Sequence, residues 1–261
     1  MLATLATQSL WFIILVLFVL PVLLSMIGPI LVRRFVALEK LSTNNQVAGF
    51  KFNTIGAVYA VLLGFAVIIV WGKFSEADNG VVQEAGAAAT LYQLTDGIGG
   101  KPGATIRDAL TNYLQSAISD DWPAMERGQA SPVATRAIKS VYAALTTYRP
   151  TDLGGPELLA ESLNQLDRMT QARRSRIVLA SGIVPEIVWA VLFGGAILTV
   201  AFTFFFAAEN LFAQTAMTAA LCALIFAGLV VIVAIDHPFA GTVKVGPEAL
   251  SAALADGGGD H

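Results

Sequence analysis

The sequence predicts an all-α membrane protein with four transmembrane helices and a helical extramembrane domain between the second and third spans. Three observations predict it. Hydrophobic residues make up 56% of the 261 positions and charged residues only 13%, where a soluble domain carries about a quarter charged. Four stretches, about Leu10 to Val32, Asn53 to Gly72, Val184 to Ala207 and Leu211 to Ile235, are apolar over the roughly 20 residues a helix needs to cross a bilayer. Most of the charge is collected between Lys73 and Gly182. The expected domains are therefore 1–72 (spans one and two), 73–182 (extramembrane), 183–236 (spans three and four) and 237–261 (a C-terminal tail).

Backbone polar groups cannot stay unpaired in lipid, so each span must be a helix. The first has no basic residue before Leu10, and its apolar run is longer than that of a secretory signal; it reads as a retained span. The second is "NTIGAVYAVLLGFAVIIVWG", and no proline or turn cluster interrupts the chain from 53 to 96. One helix is expected to leave the membrane and continue into water.

The middle domain divides at three Gly/Pro-rich joints, "GIGGKPG", "ERGQASP" and "RPTDLGGPE". Ile106, Leu110, Tyr113, Leu114 and Ile118 make one apolar face, which "DDWP" is expected to end. Ser131-Pro132 reads as an N-cap followed by proline at the first helical position, with Val133, Ala137, Val141 and Leu145 on the face behind it. Leu158, Leu159, Leu163, Leu166 and Met169 make a further face. Glu84 is expected to bridge to an arginine of a neighbouring helix, whereas Arg173, Arg174 and Arg176 read as a juxtamembrane anchor and Trp11, Trp71 and Trp189 as interfacial anchors. Asp236, His237, Pro238 and Phe239 follow the last span as a turn or a gate, and "ALADGGGDH" is expected to be disordered.

Some chemistry can be set aside. Two histidines and one cysteine, Cys222 inside the fourth span, offer neither an acid–base cluster nor metal-ligand spacing. No enzyme, cofactor or metal site is expected. A formal net charge of −3 argues against a nucleic-acid partner. Basic residues near the span ends are nearly balanced between the two sides: Arg33, Arg34, Lys40 and Lys51 on one, Lys73, Arg173, Arg174, Arg176 and Lys244 on the other. Orientation therefore stays open.

The second span carries the functional signal. At 100° per residue, Gly56, Ala60 and Gly64 fall on one stripe of small residues suited to close helix packing. Ala57, Val61, Phe65, Ile68 and Gly72 fall on an adjacent face, which Glu76, Asn79 and Gln83 continue. In a ring of identical subunits such a face suits an ion pathway, with an apolar constriction and a ring of Glu76 at its mouth. The same pattern also serves helices that merely pack.

"NTIGAVYAVLLGFAVIIVW", the following Phe74, Ala77, Val81, Glu84, Ala85, Leu91 and Tyr92, and "DHPFAG" at 236–241 resemble a bestrophin-like family of bacterial membrane proteins. The resemblance covers nearly the whole chain. Bestrophins are pentameric ion channels, chiefly anion channels in eukaryotes, with four spans and a helical domain between the second and third. The resemblance thus implies a multi-pass homopentamer of the bacterial inner membrane, in contact with lipid and conducting inorganic ions, chloride or other anions first. It also implies a neck at Phe65, Val61 and Ala57, of which the last two are smaller than the bulky bestrophin neck residues. Calcium is not carried over, because "TVKVGPEAL" lacks an acidic run. The rival reading is a non-conducting membrane-anchored interaction or sensor module.

Overall fold

The computed structural model describes residues 9–43, 45–150 and 153–258. It is 84% helical, with no strand among the described residues. The chain divides into two compact units, one of 1–72 with 183–236 and the other of 73–182 with 237–261.

The first unit holds the apolar helices α1 (Leu10–Phe35), the short α2 (Leu38–Ser42), the first half of α3 (Asn45–Ile98), α8 (Glu186–Thr203) and α9 (Leu211–Ile235). α1, α3, α8 and α9 are each long and apolar enough to cross a membrane. α9 packs chiefly on α1. Small residues set the closest approaches: a Cβ on Gly28 would lie 2.4 Å from the Phe204 ring, and one on Gly195 would lie 2.5 Å from the Tyr59 ring. Tyr59 uses that space to donate its hydroxyl to the Leu192 carbonyl at 2.9 Å. The α8–α9 connection is held by Asn45, whose amide donates to the Ala207 carbonyl at 2.7 Å and accepts from the Ala207 N–H at 3.0 Å. Trp189 is not an interfacial anchor. It is buried and stacks on Phe193 with ring centroids 5.6 Å apart, because it falls on the packed face of α8.

The second unit contains the rest of α3, α4 (Gly100–Ser116), α5 (Trp122–Met125), α6 (Pro132–Thr147), α7 (Gly155–Ala180) and α10 (Glu248–Gly258). α3 ends at Ile98, and Gly99 turns the chain with φ of 62° before α4 begins. Gly103 then lies so close that a Cβ would meet the Thr95 carbonyl oxygen at 2.5 Å. Val81, Leu91, Ile106, Leu110, Leu114, Val141, Leu145, Leu166 and Met169 form the core. Each such side chain contributes roughly 1.5–3 kcal/mol by leaving water.

Three helix boundaries show where local reading worked and where it did not. Ser131 caps α6, its hydroxyl accepting from Val133 N–H at 3.1 Å and Ala134 N–H at 3.4 Å, with Pro132 in the first turn. The buried face of α6 is Ala134, Ala137, Ile138, Val141 and Leu145, while Val133 is exposed. A strict four-residue series drifts by about 40° a step, so it leaves the face within three steps. "DDWP" does not end α4: a π-helical turn at Ala117–Asp121 carries the chain into α5. Pro123 sits in the first turn of α5, where a missing N–H is harmless. The tail is ordered rather than disordered as far as Gly258, as α10, with Leu250 buried and the Gly257 carbonyl accepting from Arg107 at 3.0 Å. Residues 259–261 of "ALADGGGDH" lie outside the described residues.

Candidate functional site

α3 is unbroken from Asn45 to Ile98, and its two sides have different fates. Tyr59, Ala66, Val70, Ala77, Val81, Glu84, Ala88 and Leu91 are buried in the chain. Ala57, Val61, Phe65, Ile68, Gly72, Glu76, Asn79 and Gln83 are all exposed. At 100° per residue the centres of these two sets lie about 150° apart, nearly opposite one another. The apolar members are uncovered, with Val61 57%, Phe65 60% and Ile68 67% exposed, as are apolar residues elsewhere on the spans such as Ile187 and Leu224. An apolar strip of this kind needs lipid or another protein surface against it.

Within the stripe of Gly56, Ala60 and Gly64, a Cβ on either glycine would meet nothing within 4 Å among the described residues. The stripe borders a groove of ≈ 850 Å³ whose other wall includes Leu221, Leu224 and Val231 of α9. The tight intrachain contacts fall elsewhere, as at Gly228, where a Cβ would lie 2.9 Å from Leu63.

At the start of the polar continuation, Glu76 does not stand alone. Its Oε2 accepts from Lys73 Nζ at 2.7 Å, with both side chains about half exposed.

Glu84, two turns further along α3, is fully buried. It accepts two hydrogen bonds from Arg176 of α7, at 2.9 Å to Oε2 and 3.0 Å to Oε1, and a third from the Tyr113 hydroxyl. Asp121 completes the cluster. It accepts from Arg173 Nε at 2.7 Å and Nη2 at 3.1 Å and from the Ser131 N–H at 2.9 Å, and lies 3.6 Å from Arg176. The Arg176 guanidinium also covers the Trp122 ring at 4.4 Å from its centroid. Two carboxylates thus balance two guanidiniums inside an apolar core, the condition under which buried charge is tolerated.

Burial, with the Glu84 carboxylate beside it, pushes the Tyr113 hydroxyl well above its ordinary value. For Arg176, burial pulls downward, but Glu84, Tyr113 and Asp121 outweigh it and the net shift is upward. The bridge expected of Glu84 is therefore made, to Arg176. The arginine run is corrected: Arg173 and Arg176 turn inward to these carboxylates and only Arg174 is exposed. Asp121 was legible only as part of a helix-ending motif, because its partner lies 52 positions away.

After the fourth span, Asp236 is buried and its Oδ1 accepts from the N–H groups of Ile183 and Val184 at 3.1 and 2.8 Å. His237 and Pro238 enter a turn in which the Ala240 N–H donates to the His237 carbonyl and the Val245 N–H to the Pro238 carbonyl. Phe239 is fully buried, edge-on to Trp122 at 6.0 Å. Among the described residues no group of three or more His, Cys, Asp or Glu could hold a metal ion.

Comparison with known proteins gives one family. The model of the Bestrophin-like domain matches residues 19–250. A bacterial bestrophin homolog from Klebsiella pneumoniae is similar in structure with a TM-score of 0.72 at 15% identity, over 93% of this chain and 99% of that one. A mutant of a bacterial bestrophin homolog from the same organism gives 0.71 at 16% identity, over 97% and 100%. A further membrane-protein crystal structure gives 0.73 at 18% identity, over 95% and 99%. No curated protein matches the chain.

Proposed function

Because this chain belongs to the bestrophin-like family, we propose that it is a bestrophin-type ion channel, a multi-pass homopentamer of the bacterial inner membrane whose α3 helices line the conduction path. One observation carries the reading: a single unbroken helix holds its buried side against its own chain and leaves the opposite side bare, from Ala57 through Gln83. Five such sides facing a common axis would enclose an apolar neck at Ala57, Val61 and Phe65 that opens toward Glu76, Asn79 and Gln83. A narrow apolar ring resists ions because water leaves it readily. Phe65 is the largest of the three neck residues, so it makes the tightest ring. The groove beside Gly56, Ala60 and Gly64 is then room for the neighbouring copy, because small residues allow close helix approach where only dispersion and packing drive association.

Phe65→Ala tests the neck. The side chain is 60% exposed in the single chain, so its removal opens no cavity there and should leave the fold intact. Current through the reconstituted protein should rise severalfold. Unchanged conductance in a folded variant removes the neck from Phe65, and absence of any wild-type conductance leaves an anchored, non-conducting module. The family resemblance favours anions. A ring of bare Glu76 carboxylates would favour cations.

A further inference from the structure

Resting on the reading of α3 as pore-lining, we infer that Lys73 is a selectivity residue: in every copy it neutralises Glu76, so the mouth of the pathway carries a ring of ion pairs rather than a ring of carboxylates. Glu76 lies on the exposed face that continues from Phe65 and Gly72, and its Oε2 is engaged by Lys73 Nζ at 2.7 Å. Lys73 stands about 60° from Glu76 around the helix, on the side away from Asn79, so its flexible stem reaches over to the pathway face. The ordinary role of a lysine just beyond an apolar span is to anchor it at the interface. Here its ammonium is committed to a carboxylate instead.

No other charge of α3 between Lys73 and Gln83 shares this face. Asp78 is about 160° from Glu76 around α3 and therefore off this face. Asn79 and Gln83, which continue the face, are neutral. An ion at the mouth meets opposite charges held within hydrogen-bond distance of each other, and their fields cancel over less than the Debye length of about 8 Å at physiological salt. Selectivity at this point therefore comes from the difference between two opposing groups, and removing either one exposes the other.

The test is reversal potential in liposome-derived bilayers under a potassium chloride gradient, for wild type, Lys73→Gln, Glu76→Gln and the double variant. Both side chains are half exposed, so circular dichroism should show all four equally folded. At low salt Lys73→Gln should raise the potassium-to-chloride permeability ratio by up to roughly tenfold, Glu76→Gln should lower it, and the double variant should return to the wild-type ratio. The shifts should shrink in high salt. Loss of cation preference in Glu76→Gln with no change in Lys73→Gln would overturn the compensation. Conduction with no shift in any variant would place the pair outside the pathway and overturn it too, while leaving the neck reading intact. A wild type that conducts nothing would remove both.

Discussion

Tyr113 shows how one hydroxyl is governed by its surroundings. It is fully buried and donates to Glu84, and both burial and that carboxylate favour the protonated phenol. The folded chain holds this proton to higher pH than the unfolded chain, whose tyrosine titrates near 10. The stabilisation is therefore fully present below about pH 10 and is lost as pH rises above it. Melting of the purified protein followed by circular dichroism should show stability falling between pH 9.5 and 11, on the order of the tyrosine range. Tyr113→Phe should flatten the fall without abolishing it, since burial also pushes up the hydroxyl of Tyr92. An unaltered slope in Tyr113→Phe would show that the hydroxyl is not sequestered. Single residues were legible where the rule is local: Ser131-Pro132 announces a cap whatever surrounds it. Trp189 was not, because a tryptophan near a span end reads as interfacial until the helix packed over it is known.

At the scale of elements, α3 is tied to α7 through Glu84 and Arg176 and to α4 through Tyr113. Losing one partner leaves the other charge buried and uncompensated, which costs about 3–5 kcal/mol. Arg176→Met and Glu84→Gln should each lower the melting temperature sharply, and Arg176→Met should also change Trp122 fluorescence, since the guanidinium lies over that ring. The double variant should recover much of the loss. Singles no weaker than wild type would mean the pair is solvated. The contrast with Lys73 and Glu76 is physical: the same two charge types, half exposed, are worth about 0–1 kcal/mol. Glu84 was legible as half of a bridge because in "QEAGAAATLY" it is followed by small apolar residues and no basic residue. Its partner was hidden among three arginines, of which helix α7 buries two and exposes one.

At the scale of the whole molecule, Val61, Phe65, Ile68 and the groove beside Gly56 and Gly64 form an apolar surface along α3 that the described residues leave open. Five copies arranged with these faces inward and the grooves filled would account for both, which is why the pentamer is proposed. Native mass spectrometry from mild detergent should then show a single species of five chains, and bulky substitution such as Gly56→Leu should shift it toward monomer. A wild type that is already monomeric would leave the exposed face to lipid and end the channel reading.

By itself the sequence determined the fold class, the four spans and the unbroken course of α3 over 53–96, though not its start at Asn45, because composition and uninterrupted helical order are properties of neighbours along the chain. It also determined which α3 residues share a face, since a fixed rotation per residue needs no tertiary information. Only the tertiary structure decided which arginine meets Glu84, that Asp121 is core rather than a stop, and that α10 is ordered. Those outcomes depend on which distant groups burial brings together, and the free energy of a charge is set by that burial rather than by its place in the chain.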